Sequence, residues 1–198
     1  MKKLKKYSDI ELYDLAKSNK AKSAEAISIL YDRYSAQVYK YCRRILGNEE
    51  LAEDIFHDTF MRFYNTLSQD RDMTNVKGFL ITVARNLCLS AKSSKHYGLS
   101  SLEDLELPTR DLEYEKKEII EIVRTSIECL AIDLREPLVL KEYNGYSYQE
   151  IAEVLDLTLS VVKNRIYKAK QQLRKILEPY ITEIIENKNI NQGTENHE

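Results

Sequence analysis

Apolar residues recur every three or four positions through most of the first half of the chain. The spacing holds over residues 27–45, returns over 52–67 and returns again over 76–87. This is the pattern of one face of an α-helix. A helix with a single apolar stripe cannot bury that stripe alone, so such helices must pack together. Residues 8–91 are therefore predicted to form a helical bundle.

The rest of the chain predicts a second helical unit. Apolar residues line one helix face over 119–130, and Pro137 is placed to occupy the first turn of a following helix. Only five Gly and three Pro occur among 198 residues, which favours helix throughout. Residues 92–112 mix Ser, Gly, Pro and both charges without periodicity, as a linker does.

These patterns predict an all-α protein of two small helical domains joined by a flexible linker, the C-terminal one with a helix-turn-helix. The domains are residues 8–91 and 113–178, with the linker at 92–112. Residues 179–198 are predicted to be a polar, partly disordered tail.

The stretch 145–175 contains the signals of a helix-turn-helix. Ser147 and Glu150 have the spacing of a capping box, in which each side chain bonds the other's backbone N–H at a helix start. Thr158 can cap a second helix, whose buried stripe begins at Val162. Two short helices joined by a tight turn are typical of a DNA-binding unit.

The charge on the two helices differs sharply. Residues 141–157 hold one Lys and four acidic residues, whereas 158–178 hold six Lys or Arg and one Glu. The whole chain has a net charge of only −2, so a nucleic-acid surface must be local. In a helix-turn-helix the second helix enters the major groove and its first turns read base edges. The side chains expected to point outward there are Ser160, Lys163, Asn164 and Lys168.

Other features constrain the compartment. Cys42, Cys88 and Cys129 are odd in number and lie within helical patterns, which indicates buried thiols under reducing conditions. No apolar run approaches the roughly 20 residues that a membrane helix needs. The sequence predicts a cytoplasmic protein without membrane insertion.

Two separate stretches resemble one family, the bacterial RNA polymerase sigma factors of the extracytoplasmic-function (ECF) group. The C-terminal stretch is similar to the promoter-binding domain of that group, and the N-terminal stretch to its core domain. The residues that carry the C-terminal resemblance are Gly145, Ser147, Tyr148, Glu150, Ile151, Ala152, Val162, Lys163 and Arg165. Those that carry the N-terminal resemblance are Ala52, Glu53, Asp54, Asp58, Phe60, Ala84, Arg85 and Asn86.

The resemblance implies a transcription initiation factor and no enzyme, with no cofactor. Such a factor binds RNA polymerase core through the clamp helices of its largest subunit and directs it to promoter DNA, aiding promoter melting. The resemblance also implies an anti-sigma factor as a further partner. The residues implied to contact the core are Glu53, Asp54, His57, Asp58 and Phe60.

The resemblance also assigns two sets of DNA contacts. Those implied for the minus-ten element are Arg62, Tyr64, Gln69, Arg71, Asn75, Lys77, Arg85, Asn86 and Lys92. Those implied for the minus-thirty-five element are Tyr148, Ser160, Lys163, Asn164, Arg165, Lys168 and Lys170.

The chain departs from the family pattern at a few positions. Phe79 and Tyr64 stand where the family often has Trp, and both keep an aromatic ring. Asp156 replaces a common turn Gly, which leaves the conformation of that turn open. Ser160 and Val161 replace a frequent Gly-Thr pair at the start of the recognition helix, so the base preference of the family does not carry over.

Two alternatives follow from the same residues. Asp54 and His57 have the carboxylate-x-x-His spacing of helical di-metal sites, but the sequence holds no second copy of that motif. The stronger alternative is a helix-turn-helix transcriptional regulator that binds duplex DNA without polymerase core.

Overall fold

A computed structural model describes residues 4–69, 72–94 and 112–194. Arg71 and most of the predicted linker lie outside the described residues. The side chains of 94, 112–118 and 183–194 are likewise outside the description. Within the described ranges the chain forms eight α-helices and a short 3-10 helix and contains no strand, which confirms the all-α prediction.

The N-terminal half forms a four-helix bundle. A 3-10 helix at Leu4–Lys6 precedes α1 (Asp9–Ser18), α2 (Lys20–Leu46), α3 (Glu49–Thr66) and α4 (Val76–Ser94). A capping box at Ser8 begins α1. Gly47 ends α2 in the left-handed conformation (φ 73°), where a side chain would also meet Glu128.

The C-terminal half comprises α5 (Leu112–Glu128), α6 (Ile132–Glu142), α7 (Tyr148–Leu155) and α8 (Leu159–Thr194). Helix α6 begins five residues before Pro137, so the prediction that Pro137 lies in the first turn was wrong. The helix begins earlier because the Leu134 and Arg135 N–H groups both bond the Ala131 carbonyl, and Pro137 then removes one backbone hydrogen bond inside the helix.

Helix α8 is longer than the sequence predicted. A polar tail was expected from residue 179, whereas the helix continues through Pro179 to Thr194. Ile176 and Tyr180 continue the helical apolar spacing on the far side of Leu173, which explains how the helix persists there.

The two halves pack directly against each other. Helix α2 contacts α5 and α6, and α4 contacts α7. Buried apolar residues from both halves, such as Ile45, Leu80, Leu138 and Ile151, belong to one continuous cluster. The two domains were predicted from the sequence, whereas the contact between them was not part of the prediction.

Two of the three Cys residues are buried, as the sequence predicted for all three. Cys42 and Cys88 are buried in the N-terminal bundle, and Cys129 at the end of α5 is partly exposed. Burial raises the pKa of the Cys129 thiol. Among the described residues, none of the helices is both long and apolar enough to span a bilayer.

Candidate nucleic-acid interface

Helices α7 and α8 form the predicted helix-turn-helix. The capping box at the start of α7 is present: the Ser147 hydroxyl accepts the Glu150 N–H at 3.2 Å, and the Glu150 carboxylate accepts the Ser147 N–H at 2.7 Å. The Thr158 hydroxyl accepts the Val161 N–H at 3.4 Å at the start of α8. Both predicted caps are thus confirmed.

The turn between the helices depends on Asp156. Its backbone is left-handed, with φ 53° and ψ 52°, and its N–H closes the end of α7 by bonding the Glu153 carbonyl. Residues other than Gly rarely adopt this conformation, although Asp does so more readily than most. Asp156 therefore adopts a backbone conformation that a Gly at this position would also allow.

The outer face of α8 is open to solvent. Val162, Ile166 and Ala169 are buried against the rest of the domain. Ser160, Lys163, Asn164 and Lys168 are exposed, and Arg165 is half-buried. Within the described part of the chain, Lys163 and Lys168 form no ion pair. A basic, solvated face on the first turns of the second helix suits the major groove.

Two other residues predicted to contact the minus-thirty-five element have partners in the protein. Lys170 lies 2.7 Å from a carboxylate oxygen of Glu142, and this pairing raises the pKa of Lys170. Half-buried Tyr148 lies under Lys141, whose Nζ is 4.7 Å from the ring centroid. Both side chains therefore have partners within the C-terminal half.

The predicted polymerase-binding residues share one face of α3. Glu53, Asp54, His57 and Asp58 are exposed, and Phe60 is half-buried. The Phe60 ring lies 4.8 Å from Tyr31 and 5.2 Å from Phe56, centroid to centroid. The structure thus gathers acidic groups around an aromatic cluster, which suits a basic partner helix.

The residues predicted for the minus-ten element divide into two groups. Arg62, Tyr64, Gln69 and Asn86 are exposed, and Tyr64 keeps 55% of its surface accessible. Asn75 is exposed but also caps α4, since its side-chain oxygen accepts the Gly78 N–H at 2.8 Å. These side chains lie along the end of α3, the following loop and α4.

Lys77 belongs to the second group, whose members bond to other parts of the chain. Its Nζ lies 2.8 Å from Oε1 of Glu150 on α7 and 3.8 Å from the centroid of the Tyr146 ring. The Tyr146 hydroxyl donates to the Lys77 carbonyl at 3.3 Å. Hydrogen bonding to Lys77, together with the Ser147 N–H, lowers the pKa of Glu150 to about 2.

Arg85 on α4 pairs with Glu136 on α6. Its Nη2 donates to Oε2 at 3.1 Å, while Nε lies 2.9 Å from Oε1 without the alignment of a hydrogen bond. The fully buried Tyr41 donates to Oε1 of Glu136 at 3.0 Å. Burial and the nearby Glu136 charge raise the pKa of Tyr41, which keeps its hydroxyl protonated as a donor.

Lys92 and Arg135 converge on the end of α2. Both donate to the Ile45 carbonyl, at 3.2 Å and 3.0 Å. Arg135 also donates to the Leu130 carbonyl at 2.9 Å and to the Glu128 carbonyl, at the end of α5. Cations at helix C-termini satisfy free carbonyls and oppose the helix dipole. Burial lowers the pKa of both side chains.

The buried polar residues of the C-terminal half that bond to α2 and α4 were not identified from the sequence. Glu136, Arg135 and Asn144 are each at most 6% exposed. The Asn144 amide donates to the Gln37 carbonyl on α2 at 2.8 Å. One signal was available: Arg135 and Glu136 are charged residues at the start of an apolar run, where a buried charge needs a partner.

The metal-site alternative finds no support in the described ranges. Asp54 and His57 are exposed on α3, and no cluster of three His, Cys, Asp or Glu able to hold a metal occurs among the described residues.

Comparison with protein families gives two matches in chain order. Residues 30–96 match the sigma-70 region 2 model, and residues 120–173 match the sigma-70 region 4 model. Together they cover more than half of the chain.

Similar proteins agree. The chain is 26% identical to the RNA polymerase sigma-H factor of Pseudomonas aeruginosa, over 80% of this chain and 89% of that protein. It is 27% identical to the RNA polymerase sigma factor YlaC of Bacillus subtilis, over 78% of this chain and 93% of that protein. An ECF RNA polymerase sigma factor of Mycobacterium tuberculosis, SigL, is 25% identical, over 83% of this chain and 97% of that protein.

Solved structures share the fold. CnrH, in complex with the cytosolic domain of CnrY, superposes with a TM-score of 0.63 at 22% identity, over 86% of this chain and 97% of that one. The sigma factor RpoE of Bartonella quintana, in complex with the anti-sigma factor NepR, gives 0.58 at 18% identity, over 75% and 94% of the two chains.

Proposed function

Since the chain belongs to the sigma-70 family of RNA polymerase sigma factors, in its ECF group, and directs the polymerase to promoters, we propose a division of that work among its surfaces. The acidic face of α3 binds polymerase core. The end of α3, the following loop and α4 contact the minus-ten element. The exposed start of α8 reads the minus-thirty-five element.

The observation that carries this proposal is the separation of two exposed surfaces of opposite charge. The α3 face presents Glu53, Asp54 and Asp58 around an aromatic cluster, and the α8 face presents Lys163 and Lys168 beside Asn164. The basic face suits DNA phosphates and base edges. The acidic face would repel DNA and suits a basic protein surface.

The sigma-70 family consists of transcription factors without enzymatic activity, and we assign this chain no catalytic residue. It acts where chromosomal DNA and polymerase are, in the cytoplasm. Because the structurally similar sigma factor RpoE of Bartonella quintana was solved with the anti-sigma factor NepR, we include an anti-sigma factor among the partners of this chain.

Reconstitution tests the function. Purified chain is added to core polymerase, and run-off transcripts are measured on a library of genomic promoter fragments. We expect transcripts from a subset of fragments only when the chain is present. Tight binding to closed duplex by the chain alone, with no core binding and no transcripts, would instead favour the transcriptional regulator.

A further inference from the structure

The last turn of α3 is bonded to a buried tyrosine from α1. The Tyr13 side chain is fully buried, and its hydroxyl donates to both the carbonyl oxygen and the Oγ of Thr66, each at 3.1 Å. The Thr66 hydroxyl donates its own proton to the Phe63 carbonyl at 2.6 Å, so toward Tyr13 it acts as an acceptor. Because a buried phenol needs a hydrogen-bond partner, the end of α3 is where the Tyr13 hydroxyl is satisfied.

The same carbonyl also fixes the residues that follow α3. The Thr66 carbonyl accepts the Gln69 N–H at 3.1 Å, which closes the turn after the helix. Two donors therefore meet on one oxygen: the Tyr13 hydroxyl from α1 and the backbone of Gln69, a residue assigned to minus-ten DNA. A carbonyl oxygen has two lone pairs and can accept both bonds. The backbone of Gln69 is thus connected to Tyr13 through a single atom.

Aromatic packing fixes the direction of the Tyr13 ring. Its centroid lies 5.9 Å from that of Phe63 on α3, and the Phe63 ring lies 6.2 Å from that of Phe79 on α4. Phe63 is itself buried, so three helices meet at this point. A phenylalanine in place of Tyr13 would keep these ring contacts, which makes the hydroxyl separable from the packing.

Helix α1 is anchored to α2 at its own start. The Asp9 carboxylate lies 2.6 Å from Arg33 and accepts the Tyr34 hydroxyl, while Arg33 also donates to the Tyr7 carbonyl at 2.8 Å. Asp9 and Tyr13 are four positions apart and therefore lie on the same face of α1. This anchor sets the position from which Tyr13 reaches the end of α3.

The segment before α4 is held by different means. Met73 and Val76 are buried in the apolar cluster, and the Asn75 side chain caps α4. Gln69, by contrast, is exposed, so its position depends on the hydrogen bonds at the end of α3. The Tyr13 hydroxyl is the part of that arrangement that one conservative substitution removes.

We propose that Tyr13 is a positioning residue for promoter recognition: its hydroxyl holds the Thr66 carbonyl and thereby the direction in which Gln69 meets minus-ten DNA. Tyr13 itself does not touch DNA. This inference rests on the proposed function, because that function assigns Gln69 to the minus-ten element. It adds that α1, which carries none of the assigned DNA contacts, contributes to base discrimination.

The test measures base discrimination in run-off transcription by the full-length chain with core polymerase. The template is the genomic fragment with the highest transcript yield, prepared with each of the four bases at each minus-ten position. Discrimination is the yield from the best base divided by the mean yield from the other three. Gln69→Ala identifies the position that depends on Gln69. We expect Tyr13→Phe to lower discrimination there by at least about threefold and elsewhere by less than about twofold.

Tyr34→Phe is the matched control. It also removes a tyrosine hydroxyl that bonds α1, through Asp9, and Asp9 keeps its pairing with Arg33. This variant should keep the wild-type discrimination at every position. In the Gln69→Ala background, Tyr13→Phe should have no further effect on discrimination, because the two changes then act on one contact.

A second measurement reports the turn without DNA. Nitrogen-15 relaxation gives the order parameter of the Gln69 amide, which should be lower in Tyr13→Phe than in wild type and should be unchanged in Tyr34→Phe. If Tyr13→Phe unfolds by circular dichroism, Thr66→Val decides the question. It removes one of the two acceptors of the Tyr13 hydroxyl, whereas Thr66→Ser keeps both and should retain discrimination.

A transcript yield that falls equally for all bases in Tyr13→Phe would overturn the proposal, because the loss would then be one of folding. An equal loss of discrimination in Tyr34→Phe, or additive effects of Tyr13→Phe and Gln69→Ala, would also overturn it. Unchanged discrimination in Gln69→Ala would overturn it too, since Gln69 would then read no base. Failure of the proposed function would instead show as no transcripts from the wild type on any fragment.

Discussion

At the scale of single residues, Asp156 fixes the angle between the two helices of the DNA-reading unit. Its left-handed backbone strains any residue with a Cβ, and Gly relieves that strain at some cost in unfolded-state entropy. We expect Asp156→Gly to raise the free energy of unfolding by about 0.5 kcal/mol and Asp156→Val to lower it by at least about 1 kcal/mol. Urea denaturation measures both, and equal stabilities would contradict the strained turn.

Glu150 gives a prediction about pH. Its pKa is about 2 in the folded chain, below the ordinary value of 4.5, because Lys77 and the Ser147 N–H bind the carboxylate. The stabilisation is therefore complete above about pH 4.5 and declines as the pH falls toward 2. Solvent and salt reduce its size, since the side chain is 41% exposed.

The measurement is urea denaturation of wild type and Glu150→Gln from pH 7 to pH 3. The wild type should be the more stable at pH 7, and the difference should shrink below about pH 4.5. If the difference in the free energy of unfolding stays constant across this pH range, the ionised Glu150 carboxylate is not the source of the stabilisation.

At the scale of helices, the first turns of α8 are separable from the rest of that helix. Lys163→Ala/Arg165→Ala should weaken binding to an upstream-element duplex and reduce the slope of log K against log salt by up to about 2, one contact for each cation. Arg174→Ala/Lys175→Ala removes the same charge further along α8 and should have the smaller effect. Equal losses of duplex affinity in the two variants would show that the first turns of α8 are not the DNA-binding part of the helix.

Helix α3 has its own prediction. Asp54→Lys/Asp58→Lys reverses two exposed charges on the acidic face and should weaken binding to polymerase core by at least about tenfold, measured by fluorescence anisotropy with labelled chain. Duplex binding by the isolated chain should stay within about twofold of wild type. Unchanged core affinity would place the polymerase contact elsewhere.

The helices themselves could be predicted from the sequence, and the reason is local. Apolar spacing marks buried faces such as Val38, Tyr41 and Ile45, and the caps at Ser147 and Thr158 depend on residues three positions apart. Helix ends were less predictable. The start of α6 has no side-chain cap, and α8 continues past a Pro that usually ends or kinks a helix.

At the scale of the whole molecule, the contact between the halves could not be predicted in this way. Glu136 and its partners Tyr41 and Arg85 are separated by 95 and 51 positions, and no periodicity relates them. The exposed residues of the predicted sites could be named from the family resemblance. That Lys77 and Arg85 bond to the other half depends on tertiary packing alone.

This contact predicts how the chain unfolds. Because buried polar groups cross between the halves, the wild type should unfold in a single transition, with coincident far-ultraviolet circular dichroism and tyrosine fluorescence. Glu136→Ala leaves the buried Tyr41 hydroxyl without its acceptor and Arg85 without its partner. We expect a loss of about 3 kcal/mol and separated transitions. Coincident transitions with unchanged midpoint would contradict this coupling.

The partly exposed Cys129 offers a practical means to follow these events. It lies between Glu128 and Leu130, the two residues whose carbonyls Arg135 binds, whereas Cys42 and Cys88 are buried. Burial raises the pKa of the Cys129 thiol, which slows its reaction with alkylating reagents while Arg135 holds the end of α5. Release of that helix end would speed alkylation. The rate of Cys129 alkylation, measured by mass spectrometry, would thus report the opening of the native chain without an engineered label.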